Sequence, residues 1–207
     1  MFENCPYRYY RQRVRKDIKE YFESDAESFG VKAHKRLEQR LMRKRPLPEE
    51  IASCEQYCRE LEVASELHVE YQMALNNRLD RVDWFSPDAW SRAAADVLAK
   101  DGSEATIVDW KTGKVRYDDL QGIVLAFHTF ACFPDVTRVR TRFIFVRHGV
   151  EKGDVYDRSS DLDFIWGELK DRLQEIKWAQ ENDCWPKKRT GLCAWCPVKD
   201  CEHWRER

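Results

Sequence analysis

In Ile107-Val108-Asp109-Trp110-Lys111-Thr112-Gly113-Lys114, two β-branched residues lead to an acid, one residue separates that acid from a lysine, and Thr-Gly ends the run. The pattern predicts a buried strand that delivers Asp109 and Lys111 to one side before a turn, because residues two apart on a strand share a face. An acid and an amine placed together can hold a metal ion and serve the water that the ion activates. Alone, Asp-x-Lys more often describes a surface ion pair beside a turn, so the rest of the chain has to decide.

A second acid comes from the preceding run. Arg92 to Ala99, the turn Lys100-Asp101-Gly102-Ser103 and the return through Ala105 to Lys111 read as a β-hairpin, with Asp-Gly between two apolar runs as the turn signal. This pairing sets Asp96 in the strand beside Asp109. Two carboxylates at one end of a hairpin supply oxygen ligands for a hard cation such as magnesium or manganese. Lys111, on the same face, can reach both an attacking water and a scissile phosphate and offset the charge that develops between them. Asp80 and Asp83 compete for the second-acid role. Asp80 lies among arginines in Arg78-Leu79-Asp80-Arg81, which favours a surface pairing, and Asp96 is preferred.

The elements that must position these residues follow from periodicity. Pro6 suits the first turn of a helix running towards Phe22. Val31 to Lys44 reads as a helix with Val31, His34, Leu37, Leu41 and Met42 near one face, until Pro46 and Pro48 stop it. A third helix, Glu49 to Leu67, carries Cys54 and Cys58 one turn apart, read as two small buried thiols in preference to a metal pair. From His68 to Leu75 the period changes to two, and Glu70 either faces the metal cavity or is a solvated strand carboxylate. Arg78 to Trp84 reads as a further strand. Asp118 or Asp119 caps a helix to about Phe133, with Leu120, Val124, Phe127 and Phe130 or Ala131 as its apolar stripe. Arg138 to Arg147 is a strand with Val139, Thr141, Phe143 and Phe145 on one side, and Ser160 caps a long helix reaching about Glu181. These elements predict an α/β (α+β) fold with a mixed central sheet flanked by helices. A single domain is expected, made of a helical part over 1–67, a catalytic core over 68–182 and a cysteine-rich tail over 183–207.

The chain has 207 residues with 36 basic against 37 acidic side chains, which excludes a uniformly basic nucleic-acid coat and makes any nucleic-acid footprint local. No apolar run approaches the ~20 residues of a membrane span. The first residues, with Asn4, Arg8, Arg11 and Arg13, lack the apolar core of a signal peptide, so a cytoplasmic location is expected. In that reducing setting the eight cysteines point to metal or cluster binding more than to disulfides. Cys193, Cys196 and Cys201 lie close together and need a fourth ligand. Cys5 would close an iron–sulfur site and tie the chain ends together, whereas His203 would close a zinc site. The cluster is preferred, because Cys5-Pro6 otherwise has no evident purpose; Cys184 is a possible substitute ligand. Arg8, Arg11, Arg13 and Arg15, with Lys187, Lys188 and Arg189, form either a phosphate-binding groove or a solvated charged face, with Tyr7, Tyr9, Tyr10 or Trp195 as stacking surfaces. Gly113-Lys114 lacks the leading glycine of a phosphate loop, and Val115 stands where that loop has Ser or Thr.

Asp96 followed by Asp109-Trp110-Lys111, each after an apolar strand, resembles the paired motifs of the PD-(D/E)XK nuclease superfamily. The likeness is greatest to its RecB-like exonucleases, whose strand-turn ends in Lys-Thr-Gly-Lys as Lys111 to Lys114 does. Gly30-Val31-Lys32-Ala33-His34 resembles the Gly-x-x-x-His motif of that branch, which implies His34 as a further metal ligand. Gln121 matches the first residue of its Gln-x-x-x-Tyr motif, implying contact with substrate backbone or support of the site, although Leu125 stands at the tyrosine position. Cys5-Pro6 with Cys193-Ala194-Trp195-Cys196 and Cys201 resembles the split four-cysteine signature of the iron–sulfur members, including CRISPR-associated and helicase-linked nucleases, with a shorter last step. The resemblance implies a restriction-endonuclease-like core and a magnesium- or manganese-dependent deoxyribonuclease carrying a [4Fe-4S] cluster, with zinc as the alternative. It further implies exonuclease action in DNA repair, recombination, phage or CRISPR-related processing, beside a helicase, recombinase or integrase partner. The competing expectation is a non-catalytic DNA-binding or recombination-partner protein on the same scaffold.

Overall fold

The computed structural model describes residues 2–18 and 25–205. Contacts divide the chain into two compact units, Met1–Glu23 with Glu168–Arg207, and Ser24–Gly167.

The Ser24–Gly167 unit is built on a seven-stranded mixed sheet: β1 (Glu66–Leu75), β2 (Arg81–Val82), β3 (Ser91–Asp101), β4 (Glu104–Lys111), β5 (Arg138–Phe145), β6 (Val150–Lys152) and β7 (Val155–Asp157). Their order is β2-β1-β3-β4-β5-β6, with β7 pairing the other end of β5. Only β4 and β5 run parallel, and helix α4 (Asp119–Cys132) makes the crossover that a parallel pair requires. The Asp118 side chain accepts the Leu120 N–H and so caps α4. The Arg158 guanidinium receives the other end, donating to the carbonyls of Phe130, Phe133 and Val136 at 2.8–2.9 Å.

One face of the sheet is covered by α2 (Asp25–Arg43) and α3 (Glu55–Leu61), the latter preceded by a 3-10 stretch, Glu49–Cys54. Leu37, Leu41, Ile51, Cys54, Cys58 and Leu61 pack there on Val97, Ala99, Val108 and Trp110. Cys54 and Cys58 are buried in this core, and desolvation pushes their thiols up to about 11 and about 12. The helix expected over Glu49 to Leu67 therefore ends at Leu61, and the chain is already strand at Glu66.

Helix α4 covers the other face. Its expected stripe is too narrow: Ile123, Leu125, Ala126, Phe127, His128, Thr129, Phe130 and Cys132 are all buried, while Leu120 and Val124 are only partly so. The strand expected over Arg78 to Trp84 contracts to Arg81–Val82. Two short strands, β6 and β7, had no period to read. They are separated at Gly153, where a Cβ would stand 1.9 Å from the Thr141 carbonyl oxygen, so only glycine fits. Helix α5 (Arg158–Glu181) starts before the expected cap at Ser160, with Asp161 accepting the Asp157 N–H at 2.7 Å.

The other unit joins the two chain ends. Helix α1 (Pro6–Tyr9) opens with Pro6 and runs into a π-helical turn, Tyr10–Val14; the expected continuation to Phe22 is not made, and 19–22 lie outside the described residues. Arg11, buried, pairs with Asp17 and Asp200 at 2.9 and 2.8 Å, and Lys187 pairs with Glu202 at 2.7 Å. These two cations of the expected basic groove are thus neutralised within the unit. Tyr9 and Tyr10 stack on Trp185. Among the described residues, no helix is long and apolar enough to cross a membrane.

Candidate active site

The β3–β4 ladder runs from Asp101 opposite Glu104 to Val97 opposite Val108 and stops one step before the two acids. There the Asp96 carboxylate takes over, its Oδ2 accepting the Trp110 N–H at 2.7 Å. β4 remains paired with β5 through Lys111, so the end of β4 is held on one side and opened on the other. The acids are thus set in a gap between strands.

Asp109, 14% exposed, lies in that gap with Lys111 and Gln121. Lys111 Nζ is 2.9 Å from Asp109 Oδ2 and donates to Gln121 Oε1 at 2.7 Å, while Gln121 Nε2 donates to Asp109 Oδ1 at 2.5 Å. The three side chains form a closed ring of hydrogen bonds. Gln121 reaches it from the first turn of α4, beyond the loop that begins at Thr112-Gly113. Lys111 also sits 5.3 Å from the Phe143 ring centroid. Burial holds the Asp109 carboxyl above its ordinary range, with Lys111 pulling the other way and Asp96 reinforcing the rise. An acid in that condition favours a nearby cation.

His34 enters from α2. A Cβ on Gly30 would stand 3.0 Å from Thr112 Oγ1, so the absence of a side chain there lets the helix close onto the end of β4. One turn further on, His34 Nδ1 lies 3.3 Å from Asp96 Oδ1. That carboxylate raises the imidazole above its ordinary range. Glu70, on β1, is exposed at the edge of these surroundings, and its carboxyl is raised by partial desolvation and then by Asp96, with His34 opposing. Its backbone is left-handed, with φ of 53°, and Glu70 and Asp96 form the one rung of the β1–β3 pairing that makes no ladder pair. Odd-numbered residues change sides there: Leu67, Val69 and Val97 pack on the α2–α3 core, whereas Tyr71, Met73 and Ser91 meet Phe133, Thr129 and His128 on the opposite face. Donor atoms of His34, Glu70 and Asp96 all lie within 4.8 Å of one another. Two carboxylate oxygens and an imidazole nitrogen at this spacing could be drawn onto one divalent cation by small side-chain movements. Asp80 is exposed and bonded into the Asn76 turn, and Asp83 is exposed in the following loop. Leu125, 2% exposed, is a packing residue on the buried side of α4.

Cys5, Cys193, Cys196 and Cys201 line one cavity in the terminal unit, together with Tyr7, Arg8 and His203. The Thr190 N–H donates to Cys193 Sγ at 3.3 Å. Cys184 is exposed and lines a different depression.

A gapped sheet end bearing paired acids and a lysine defines a class of phosphodiester-cleaving proteins, and the family comparison agrees. The chain belongs to the PD-(D/E)XK nuclease superfamily, whose family model matches residues 1–201. The mixed sheet flanked by helices is its restriction-endonuclease-like core. Among solved structures, a "Putative exonuclease" from Eubacterium rectale aligns with a TM-score of 0.50 at 12% identity over 96% of this chain and 79% of that one. The structure of SSO0001 aligns with a TM-score of 0.45 at 10% identity, covering 97% and 83%. Comparison with curated proteins finds no significant match.

Proposed function

We propose that this protein is a magnesium- or manganese-dependent deoxyribonuclease of the RecB-like branch that digests DNA from an end. The observation that carries this reading is the hydrogen-bonded ring of Asp109, Lys111 and Gln121 beside Asp96 and His34, at the point where the sheet parts. Asp96, Asp109 and His34 would hold the cation, which when bound supplies positive charge to the phosphate and lowers the pKa of water. Lys111 steadies the attacking water and the phosphate oxygens as negative charge builds up in line. Gln121 keeps the lysine on Asp109 until substrate arrives. Thr112-Gly113 turns the chain away and leaves the gap accessible.

In the terminal unit we favour a [4Fe-4S] cluster on Cys5, Cys193, Cys196 and Cys201 over zinc. Their shared cavity supports a common metal group, as does the amide directed at Cys193, and Cys5-Pro6 has no other evident purpose. The role is structural, joining the chain ends. Processing of DNA in repair, recombination, phage or CRISPR-related pathways, in the cytoplasm and beside a helicase, recombinase or integrase, fits this combination.

The decisive assay incubates the purified chain with end-labelled linear and with circular DNA, single- and double-stranded, with magnesium, manganese or chelator. Metal-dependent mononucleotide or short-fragment release from linear substrates alone is expected. Cleavage of circles would replace exonuclease by endonuclease, and binding without any metal-dependent cleavage would leave a DNA-binding scaffold.

A further inference from the structure

β1 and β3 outrun the strand that carries Asp109. In the register that sets Val97 opposite Val108, β4 ends with Lys111 at the level of Ala94, and β3 begins three residues further out, at Ser91. The β1–β3 pair therefore projects past the acids on the side where the gap opens, with short β2 along its edge. One face of this arm packs on α4 through Tyr71, Met73 and Ser91. The other face carries Gln72, Ala94 and Arg92, all exposed and so left uncovered by α2 and α3.

At the tip, the loop that joins β2 to β3 places Trp84, Phe85 and Trp90 within seven positions. Phe85 is 89% exposed and Trp90 48%. Single exposed rings are ordinary on protein surfaces, but three in one short loop make a patch. The loop is held in shape: the Ser86 and Ala89 amides donate to the Asp83 and Ser86 carbonyls, and the Arg92 guanidinium donates to the Trp84 and Ser86 carbonyls at 2.8 and 3.4 Å. That guanidinium also lies 5.9 Å from the Trp84 ring centroid. Among the described residues no carboxylate pairs with Arg92, which leaves its charge for a ligand. A depression of about 600 Å³ lies between Gln72, Val82, Trp84 and Ser86.

Charge and ring area together say what this patch takes. Over residues 78–92 the three arginines are matched by Asp80, Asp83 and Asp88, so there is no excess of cations to grip the phosphate rows of a duplex. The excess is of ring surface, with a guanidinium laid against one ring, the combination on which unpaired bases stack whatever their sequence.

We propose that loop 84–90 and the open face of the arm hold the unpaired bases of a single DNA strand whose backbone passes the acids at the gap. This rests on the nuclease reading above and adds to it a substrate class, single-stranded DNA. Ser91 stands five residues out from Asp96 on β3, about 16 Å at about 3.3 Å per residue. That is room for about five stacked bases at about 3.4 Å each.

The test is DNA binding by the full chain in chelator, where nothing is cleaved. It is read by the fluorescence anisotropy of a labelled oligothymidylate of about 16 nucleotides and of a blunt duplex of the same length. Phe85→Ser removes an almost wholly exposed ring and so leaves the fold as it is, and Phe85→Tyr keeps the ring. Phe85→Ser is expected to weaken binding of the single strand about tenfold, and Phe85→Tyr to bind within about twofold of the unaltered chain, with the duplex unaffected by either. Phe164→Ser, which removes an exposed ring elsewhere, is the control and should bind as the unaltered chain does. A loss below twofold in Phe85→Ser, an equal loss on the duplex, or no binding of the single strand by the unaltered chain would each overturn the proposal. So would a dimer, seen by light scattering, that Phe85→Ser dissolves without loss of DNA affinity, since the patch would then belong to a second copy of the chain. Because binding is measured without metal, a protein that shows the tenfold loss but cleaves no DNA when metal is added would overturn the nuclease reading and leave the single-strand track standing.

Discussion

Thr112 Oγ1 lies 3.0 Å from where a Cβ on Gly30 would stand, so the threonine hydroxyl takes up space at the junction of α2 and β4 that only a glycine leaves open. A side chain at position 30 would therefore press α2, and His34 one turn further on, away from Asp96. Gly30→Ala should displace the helix by a few tenths of an ångström and weaken Mn2+ binding several-fold while leaving the fold intact. Thr112→Ala removes the obstructing hydroxyl, so the double variant should recover most of the affinity. A double-variant cycle with no coupling would show that the contact does not control the histidine.

Lys111 is tied to both Asp109 and Gln121, and its chemistry is separable from substrate binding. Lys111→Ala should lower the cleavage rate by about 10²–10³-fold, the usual effect of losing one group that stabilises transition-state charge, with DNA affinity within about twofold. Lys111→Arg should not restore activity, because a planar guanidinium cannot occupy the position of an ammonium bonded at once to an acid and an amide. Single-turnover rates beside equilibrium DNA binding check both statements; undiminished cleavage by a clean alanine variant would remove Lys111 from the mechanism.

The α2–α3 layer predicts an acid-sensitive element. Arg40 donates to Glu55 at 2.6 and 2.8 Å and to Glu62 at 2.5 Å. The bond from Arg40 holds the Glu55 carboxyl down to about 2, and Glu62 is also held below its ordinary range. Their folded-state values lie below those of the unfolded chain, so this stabilisation is complete above the ordinary glutamate value of about 4.3 and is lost as pH falls through that value towards about 2. Thermal melts at a series of pH values should decline over this window. Arg40→Met should melt lower at neutral pH and decline less steeply, and parallel curves for the two proteins would rule the network out as the cause.

The terminal cysteines make a spectroscopic prediction. Anaerobically purified protein should be brown, with broad visible absorption and about four irons per chain. Cys5→Ser should bleach it while the Ser24–Gly167 sheet unit keeps its circular dichroism. A colourless protein with one zinc per chain would reverse the preference.

How much of this was legible in the sequence depended on what each signal measures. The β3–β4 hairpin was readable because Asp101-Gly102 and two apolar runs are local, and α4 was readable because Asp118 both ends the loop and caps the helix. Asp96, Asp109 and Lys111 could be selected by type and spacing, whereas His34 and Gln121 stood out only through the resemblance to a family's motifs, and the fold brings all five to one end of the sheet. β6 and β7, three residues each, were too short to display a period, and the end of α3 at Leu61 carries no proline or glycine to announce it. The conformation of Glu70 was hidden for a different reason: alternation counts residues and cannot register a strand that turns over.

That turnover has a consequence for misfolding. A pair of strands with uniform alternation can slide by two residues and still present apolar side chains to the same layers, which is how wrong registers survive. Here the reversal occurs at one rung in both strands, Glu70 on β1 and Asp96 on β3. Any slip would separate the two reversals and turn the intervening residues of one strand to the wrong side. The rung that gathers the carboxylates therefore also acts as an index mark, admitting one alignment of the sheet and rejecting its neighbours.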